Sequence, residues 1–148
     1  MNPKTIGNIG EAKVLSKFAE YGISVYIPFG DNEKSDLIAE FDGKLNKIQV
    51  KTSIKAENGK ITFDLTSAQS NSKTWSRHIY TKDEIDYFAC YNIARDKVFL
   101  ISINDAPNTT ISIRFEKTKN NQTKGIIYED KYLIDNVLGK NNFPKVGD

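Results

Sequence analysis

The feature that most restricts this chain is the dipeptide Asp42-Gly43, set between two runs of alternating apolar and polar residues. Asp-Gly suits the two-residue turn of a β-hairpin, because both central residues of that turn take positive φ. Ser35 to Phe41 and Leu45 to Ser53 then read as antiparallel strands whose register the turn fixes. Phe41 faces Lys44, Glu40 faces Leu45, Ile38 faces Lys47 and Asp36 faces Gln49. Side chains alternate with period two, so Asp36, Gln49 and Lys51 leave one face. Leu37, Ala39, Phe41, Ile48 and Val50 leave the other and supply a core face. A slip of one residue would turn that apolar set outward, which the pattern opposes.

Around this hairpin the chain reads as one domain, residues 1–148. A helix is expected from about Thr5 to Tyr21, with Val14, Leu15 and Phe18 at helical spacing and Tyr21-Gly22 as its stop. Ser24 to Phe29 is rich in β-formers, with Pro28 marking an edge or an end. Gly59 to Leu65 reads as a further strand, and the polar stretch Thr66 to Arg77 as a loop. Thr81 to Glu84 has capping-box spacing and suggests a short helical turn. Strands are expected at Asp86 to Ile93, Val98 to Ile103 and Ile111 to Phe115, then a helix from Tyr128 to Leu138. The fold class is α+β, a helix followed by a mixed, largely antiparallel sheet, with an α-β-β-β core, additional strands and a C-terminal helix.

The register puts a carboxylate, a carboxamide and an ammonium close together. A carboxylate with neutral oxygen ligands suits Mg²⁺. Lys51 in such a site would orient a water or offset charge on a phosphoryl oxygen. The plainer alternative is a surface hairpin with an incidental Asp36–Lys51 salt bridge. Glu11 falls on the stripe of Val14, Leu15 and Phe18, where a carboxylate is costly unless paired or metal-bound. Gly7 and Gly10 beside it would let the helix lie close to another backbone. Its alternative is an edge residue reaching water, or a charge favoured near a helix N-terminus.

Composition excludes several classes. At 39% hydrophobic and 27% charged residues, the chain is neither disordered nor fibrous. No apolar run approaches the ~20 residues of a membrane span. The single Cys90 cannot form an internal disulfide, and a cytoplasmic, reducing setting fits it. The single His78 rules out a His-based zinc pair within one chain. There is no phosphate-binding glycine loop and no Ser-His-Asp set, so no nucleotide cofactor is expected. The net charge is only +2, but basic residues gather in three segments: Lys44 to Lys60, Asn71 to Lys82 and Arg114 to Lys124. Such segments suit a surface that follows phosphates, or simply a solvated one.

Gly7-Asn8-Ile9-Gly10-Glu11, Ser35-Asp36-Leu37-Ile38 and Ile48-Gln49-Val50-Lys51-Thr52 together resemble the PD-(D/E)xK nuclease superfamily. Within it they are most similar to the homing endonucleases encoded in bacterial group I introns. Tyr80 to Phe88 is similar to the stretch leading into a central strand of those proteins. The resemblance implies hydrolysis of DNA phosphodiester bonds with Mg²⁺ or Mn²⁺. It makes Asp36 the principal metal ligand, Glu11 a supporting acid, Lys51 the catalytic lysine and the Val50 carbonyl a further ligand. Gln49 stands where the family usually has Asp or Glu. That exchange removes a negative charge and is expected to weaken metal affinity or reduce the number of metals held.

The expected partner is double-stranded DNA, and the expected assembly a homo-oligomer, dimer or tetramer, since one site cuts one strand. Lys73, Trp75 and Arg77, together with Lys117, Lys119 and Lys124, are the candidates for DNA contact. Trp75, Arg77, His78 and Tyr80 also suit a local packing cluster. Asp31 and Glu33 are further acids near Asp36 and also suit a solvated loop. Two other functions share these residues: a structure-selective nuclease of the Holliday junction resolvase kind, and a DNA-binding module whose site has decayed.

Overall fold

A computed structural model describes residues 1–30, 33–70, 74–139 and 144–147. Its first element, α1 (Pro3–Glu20), begins two residues before the expected start. Asn2 caps it, accepting from the Thr5 N–H at 2.9 Å, and Pro3 needs no donor in the first turn. At its end Gly22 takes φ +66°. The Gly22 and Ile23 N–H groups then donate to the carbonyls of Ala19 and Phe18 at 2.9 and 3.0 Å. This paired closure needs a left-handed residue, which Gly supplies without a Cβ penalty.

The main sheet has five strands in the order β1 (Val25–Tyr26), β2 (Leu37–Phe41), β3 (Lys44–Ser53), β7 (Tyr87–Asn92), β8 (Lys97–Ser102). β3 and β7 run parallel, and every other neighbouring pair is antiparallel. Asp42 and Gly43 take φ 55° and 71°, as a two-residue hairpin turn requires. The β2–β3 register is the expected one, from Phe41↔Lys44 to Leu37↔Ile48. Two further pairs stand apart from this sheet: β4 (Lys60–Asp64) with β9 (Thr110–Arg114), and β5 (Thr66–Ser70) with β6 (Trp75–Ile79).

Each face of the sheet carries its own core. Val14 and Phe18 of α1 pack on Leu37, Ala39, Phe41, Ile48 and Val50, joined by Ile134 and Leu138 near the C-terminus. On the other face Phe88, Cys90, Phe99 and Ile101 meet Ile61, Phe63, Ile111 and Ile113 of the β4–β9 pair. Burial of a side chain such as Phe18 contributes about 1.5–3 kcal/mol. Cys90 is fully buried, and burial holds its thiol far above the ordinary range, so it is core rather than reactive. No helix among the described residues is long and apolar enough to cross a membrane.

Three expectations need correction. Thr66 to Arg77 is not a loop, because β5 and β6 pair from Thr66↔Ile79 to Ser70↔Trp75. The strand expected over Ser24 to Phe29 contracts to Val25–Tyr26, and exposed Ile27 leads into Pro28, which has no N–H to give a ladder. The single helix expected over Tyr128 to Leu138 is a 3-10 turn, Glu129–Lys131, then α2, Ile134–Gly139. Between the two, the Tyr132 carbonyl accepts from the Leu100 N–H at 2.8 Å, and Leu133 bridges Phe99 on β8. That capture by the sheet interrupts the helix.

Gly10 sets how closely α1 approaches β3. A Cβ built there would collide with Thr52 Oγ1 and stand 3.1 Å from Thr52 Cβ, so the threonine has to rotate and the helix and strand still have to part by a few tenths of an ångström. Gly10→Ala is expected to lower unfolding free energy by about 1–3 kcal/mol in a denaturant titration, as overpacking does. Thr52→Ala added to it should restore part of that loss.

Candidate active site

Asp36 lies one residue before β2, where its N–H still donates to the Ile48 carbonyl at 2.8 Å. Ile48 is already the partner of Leu37, so the expected Asp36–Gln49 pairing does not form: the ladder ends at Leu37 and the chain bulges at Asp36. Its Oδ2 accepts from the Val50 N–H at 2.9 Å, which clamps the carboxylate against β3. Burial pushes the Asp36 carboxyl above its usual range, opposed by that N–H and by the Lys51 charge.

Glu11 comes from α1. The buried line of that helix is Gly10, Val14 and Phe18, and Glu11 lies half-buried beside it. Its carboxyl is raised by burial first and by the negative charge of Asp36 second. The structure thus brings Glu11 and Asp36 into electrostatic contact. The tight Gly10–Thr52 approach is what carries the helix to the sheet here. Gln49 is half-buried and paired with Phe88 on β7, on the face shared by Lys51.

Lys51 pairs with Cys90 on β7, and its half-buried stem leaves that face. Nζ donates to the Thr66 carbonyl at 2.5 Å and lies 5.3 Å from the centre of the Tyr80 ring. Burial lowers the pKa of its ammonium; the Asp36 charge opposes this, and Arg77 adds to it. Two carboxyls pushed up and an ammonium pushed down mark a place where charge is held at a cost, as catalytic sites are. A groove of about 680 Å³ runs from Val50 and Lys51 to Pro3 and Ile6 at the start of α1.

The residues given to DNA contact fall in two places. Arg77 lies on the β5–β6 ribbon, paired with Asp64 of β4. Trp75 begins β6, its side chain lies outside the described set, and Lys73 and Asp31 are outside the described residues altogether. Lys117 and Lys119 line a polar groove of about 860 Å³ with Lys60 and Arg114. Lys124 is exposed further along the same loop. His78 and Tyr80 do form a packing cluster: their rings meet edge to face at 5.3 Å, and His78 Nε2 lies 2.8 Å from Glu84 Oε1. Glu84 Oε1 also accepts from the Thr81 N–H at 3.0 Å, the reach-back of the expected capping box.

Sequence reasoning missed Thr66 and Tyr80, the two groups that hold the Lys51 ammonium. Asp64-Leu65-Thr66 carried a signal, since Asp two residues before a backbone N–H is an Asx-turn pattern.

A helix carrying Glu11, a hairpin ending at Asp36 and a lysine two residues after Gln49 stand near one another in this fold. The family model described as PD-(D/E)XK endonuclease matches residues 1–135. The chain belongs to this endonuclease family. Among solved structures, it is similar to a bacterial homing endonuclease, I-Ssp6803I, with TM-score 0.74 at 18% identity over 95% of this chain and 97% of that one. At that identity the likeness is one of fold. Among curated proteins no sequence match was found.

Because ionised Asp36 is raised by burial, it costs stability at neutral pH and regains it when protonated. Asp36→Asn, melted in EDTA, is therefore expected to have a higher Tm than the parent at pH 7. The gain should shrink as pH falls through the raised carboxyl's range and vanish where the carboxyl is protonated in both folded and unfolded chains.

Proposed function

We propose that this family member is a divalent-metal-dependent DNA endonuclease of the homing type that makes a double-strand break as a homo-oligomer. The observation that carries the reading is the Asp36 carboxylate, clamped by the Val50 N–H with Glu11 and Lys51 in its electrostatic range. The donor set suits a hard cation, since every group offered is oxygen: the Asp36 and Glu11 carboxylates, the Gln49 carboxamide and the Val50 carbonyl. Among the described residues no cluster of three or more His, Cys, Asp or Glu side chains gathers, so neutral oxygens have to complete such a site. Bound there, Mg²⁺ or Mn²⁺ supplies an acidified water and offsets negative charge on the phosphoryl group.

The chain's own residues do the rest. Asp36 is oriented before substrate arrives, because its second oxygen is already bonded to the backbone. The Lys51 ammonium stands partly dehydrated, where a hydrogen bond to a phosphoryl oxygen is stronger than it would be in water. The β5–β6 ribbon has the shape that enters a DNA major groove, and its residues Trp75 and Arg77, with Lys73 between its strands, are assigned to DNA contact. Lys117, Lys119 and Lys124 are assigned to phosphates, whose attraction falls with salt. One site cuts one strand, so two copies related by symmetry suit a pseudo-palindromic target.

Incubation with a randomised duplex library, in Mg²⁺ and in EDTA, followed by sequencing of the ends, tests this. Metal-dependent ends at one motif are expected, and Asp36→Ala should lower cleavage by at least about 100-fold with DNA binding retained. Unchanged cleavage by Asp36→Ala would overturn the site. Cleavage of a four-way junction alone would point to a structure-selective nuclease, and metal-independent binding without turnover to a decayed module. Gln49→Glu adds a negative ligand and should shift the metal titration to lower concentration.

A further inference from the structure

At the root of the β5–β6 ribbon, several contacts converge on one carboxylate. Asp64 Oδ1 accepts from the Thr66 N–H at 2.9 Å and from the Thr66 hydroxyl at 2.7 Å. Asp64 Oδ2 pairs with the guanidinium of Arg77, which reaches back from β6. Asp64 is the last residue of β4, and Thr66 the first of β5, so this is where the chain leaves one strand pair for the other. Thr66 is buried. Its N–H and hydroxyl are both held, which fixes its position and χ1, and its pairing with Ile79 as the first residue of β5 then sets the direction of its carbonyl. That carbonyl is the acceptor of the Lys51 ammonium.

We propose that Asp64 is a positioning residue for Lys51, acting through the Asx-turn that fixes Thr66 and so the carbonyl on which the ammonium rests. Lysine has a long, freely rotating stem, and a point charge on such a stem is useful to a reaction only where something holds it. A misplacement of about 1 Å costs on the order of 100-fold in rate. The Tyr80 ring supplies attraction to the ammonium without a directed hydrogen bond. The Thr66 carbonyl supplies the direction. The same Asp64 carboxylate also holds Arg77, so the ribbon assigned to DNA and the lysine assigned to chemistry share one support. The consequence for rate rests on the endonuclease reading, and the placement of Lys51 does not.

Two substitutions separate geometry from charge. Asp64→Asn keeps an oxygen at the Asx-turn distance and loses the charge facing Arg77. Asp64→Glu keeps the charge, but its longer stem does not close an Asx-turn. Protein labelled with ¹³C at lysine Cε gives a Lys51 signal, assigned by its loss in Lys51→Arg. Single-turnover cleavage at saturating DNA and DNA affinity in Ca²⁺ are measured alongside. Asp64→Glu is expected to move the Lys51 signal and to lower the single-turnover rate at saturating DNA by roughly 10- to 100-fold. Asp64→Asn is expected to bring the signal and most of the rate back. The reverse order, with Glu like the parent and Asn defective, would show that charge acts rather than geometry and would overturn the proposal. A Lys51 signal that moves in neither variant would overturn it as well. If the parent protein cleaves no DNA, the endonuclease reading falls, and the Lys51 signal alone still decides whether Asp64 positions the lysine.

Discussion

The turn at Asp42 and Gly43 decides which residues of β2 and β3 face each other, and every feature of the candidate site inherits that choice. With the register as found, Asp36 meets the Val50 N–H at the end of the ladder, and Gln49 and Lys51 leave one face of β3. One step of slip would send Leu37, Ala39 and Phe41 to the opposite face and strip α1 of the surface it covers. The site and the core are thus held by the same constraint, since Gln49 and Lys51 alternate along β3 with the core residues Ile48 and Val50. α1 adds its own condition at Gly10, where the absence of a side chain lets Thr52 touch the helix and brings Glu11 within electrostatic range of Asp36.

The electrostatics of the site run against stability. Burial raises the Glu11 and Asp36 carboxyls and lowers the Lys51 ammonium, so the folded chain holds all three charged states less readily than water does. Elsewhere the fold treats charge differently. Glu84, beside His78 and the Thr81 N–H, and Asp135, beside the Tyr21 hydroxyl and Lys145, are lowered despite the upward push of burial. Those groups are satisfied by what surrounds them. The three at the site are held in place by the backbone and left with unmet electrostatic demand, which is the condition for binding a cation and a phosphate.

What was legible in the sequence was what is decided locally. The hairpin register follows from a two-residue turn and a period of two, and it appears as expected from Phe41↔Lys44 to Leu37↔Ile48, failing only at Asp36. The end of α1 follows from Tyr21-Gly22, while its start lies two residues before the expected Thr5 and Glu11 sits beside the buried line rather than on it. The β5–β6 ribbon was invisible because its alternation is not apolar: Ala68, Gln69, Ser76 and Arg77 are all exposed, and no buried face imposes a period. Its pairing is instead held at the root, by Asp64 with Thr66 and Arg77 and by Glu84 with His78. The break between the 3-10 turn and α2 was equally hidden, since it depends on Leu100 and Phe99 lying some thirty residues away. The partners of Lys51 belong to the same class: Thr66 and Tyr80 reach it only through tertiary folding.

β3 and β7 lie side by side and point the same way, and strands so related cannot be joined by a tight turn. The chain must therefore leave the main sheet after Ser53 and return by Tyr87, and it spends that excursion on β4, β5 and β6. The pairs from Ile48↔Tyr87 to Ser53↔Asn92 are set at the two ends of the excursion. Adding residues to a long connection costs little in closure entropy. Within that detour the exposed positions of the ribbon, such as Gln69 and Ser76, are free to drift in sequence, while Thr66 and Tyr80 are tied to Lys51 and β4 is tied to the core.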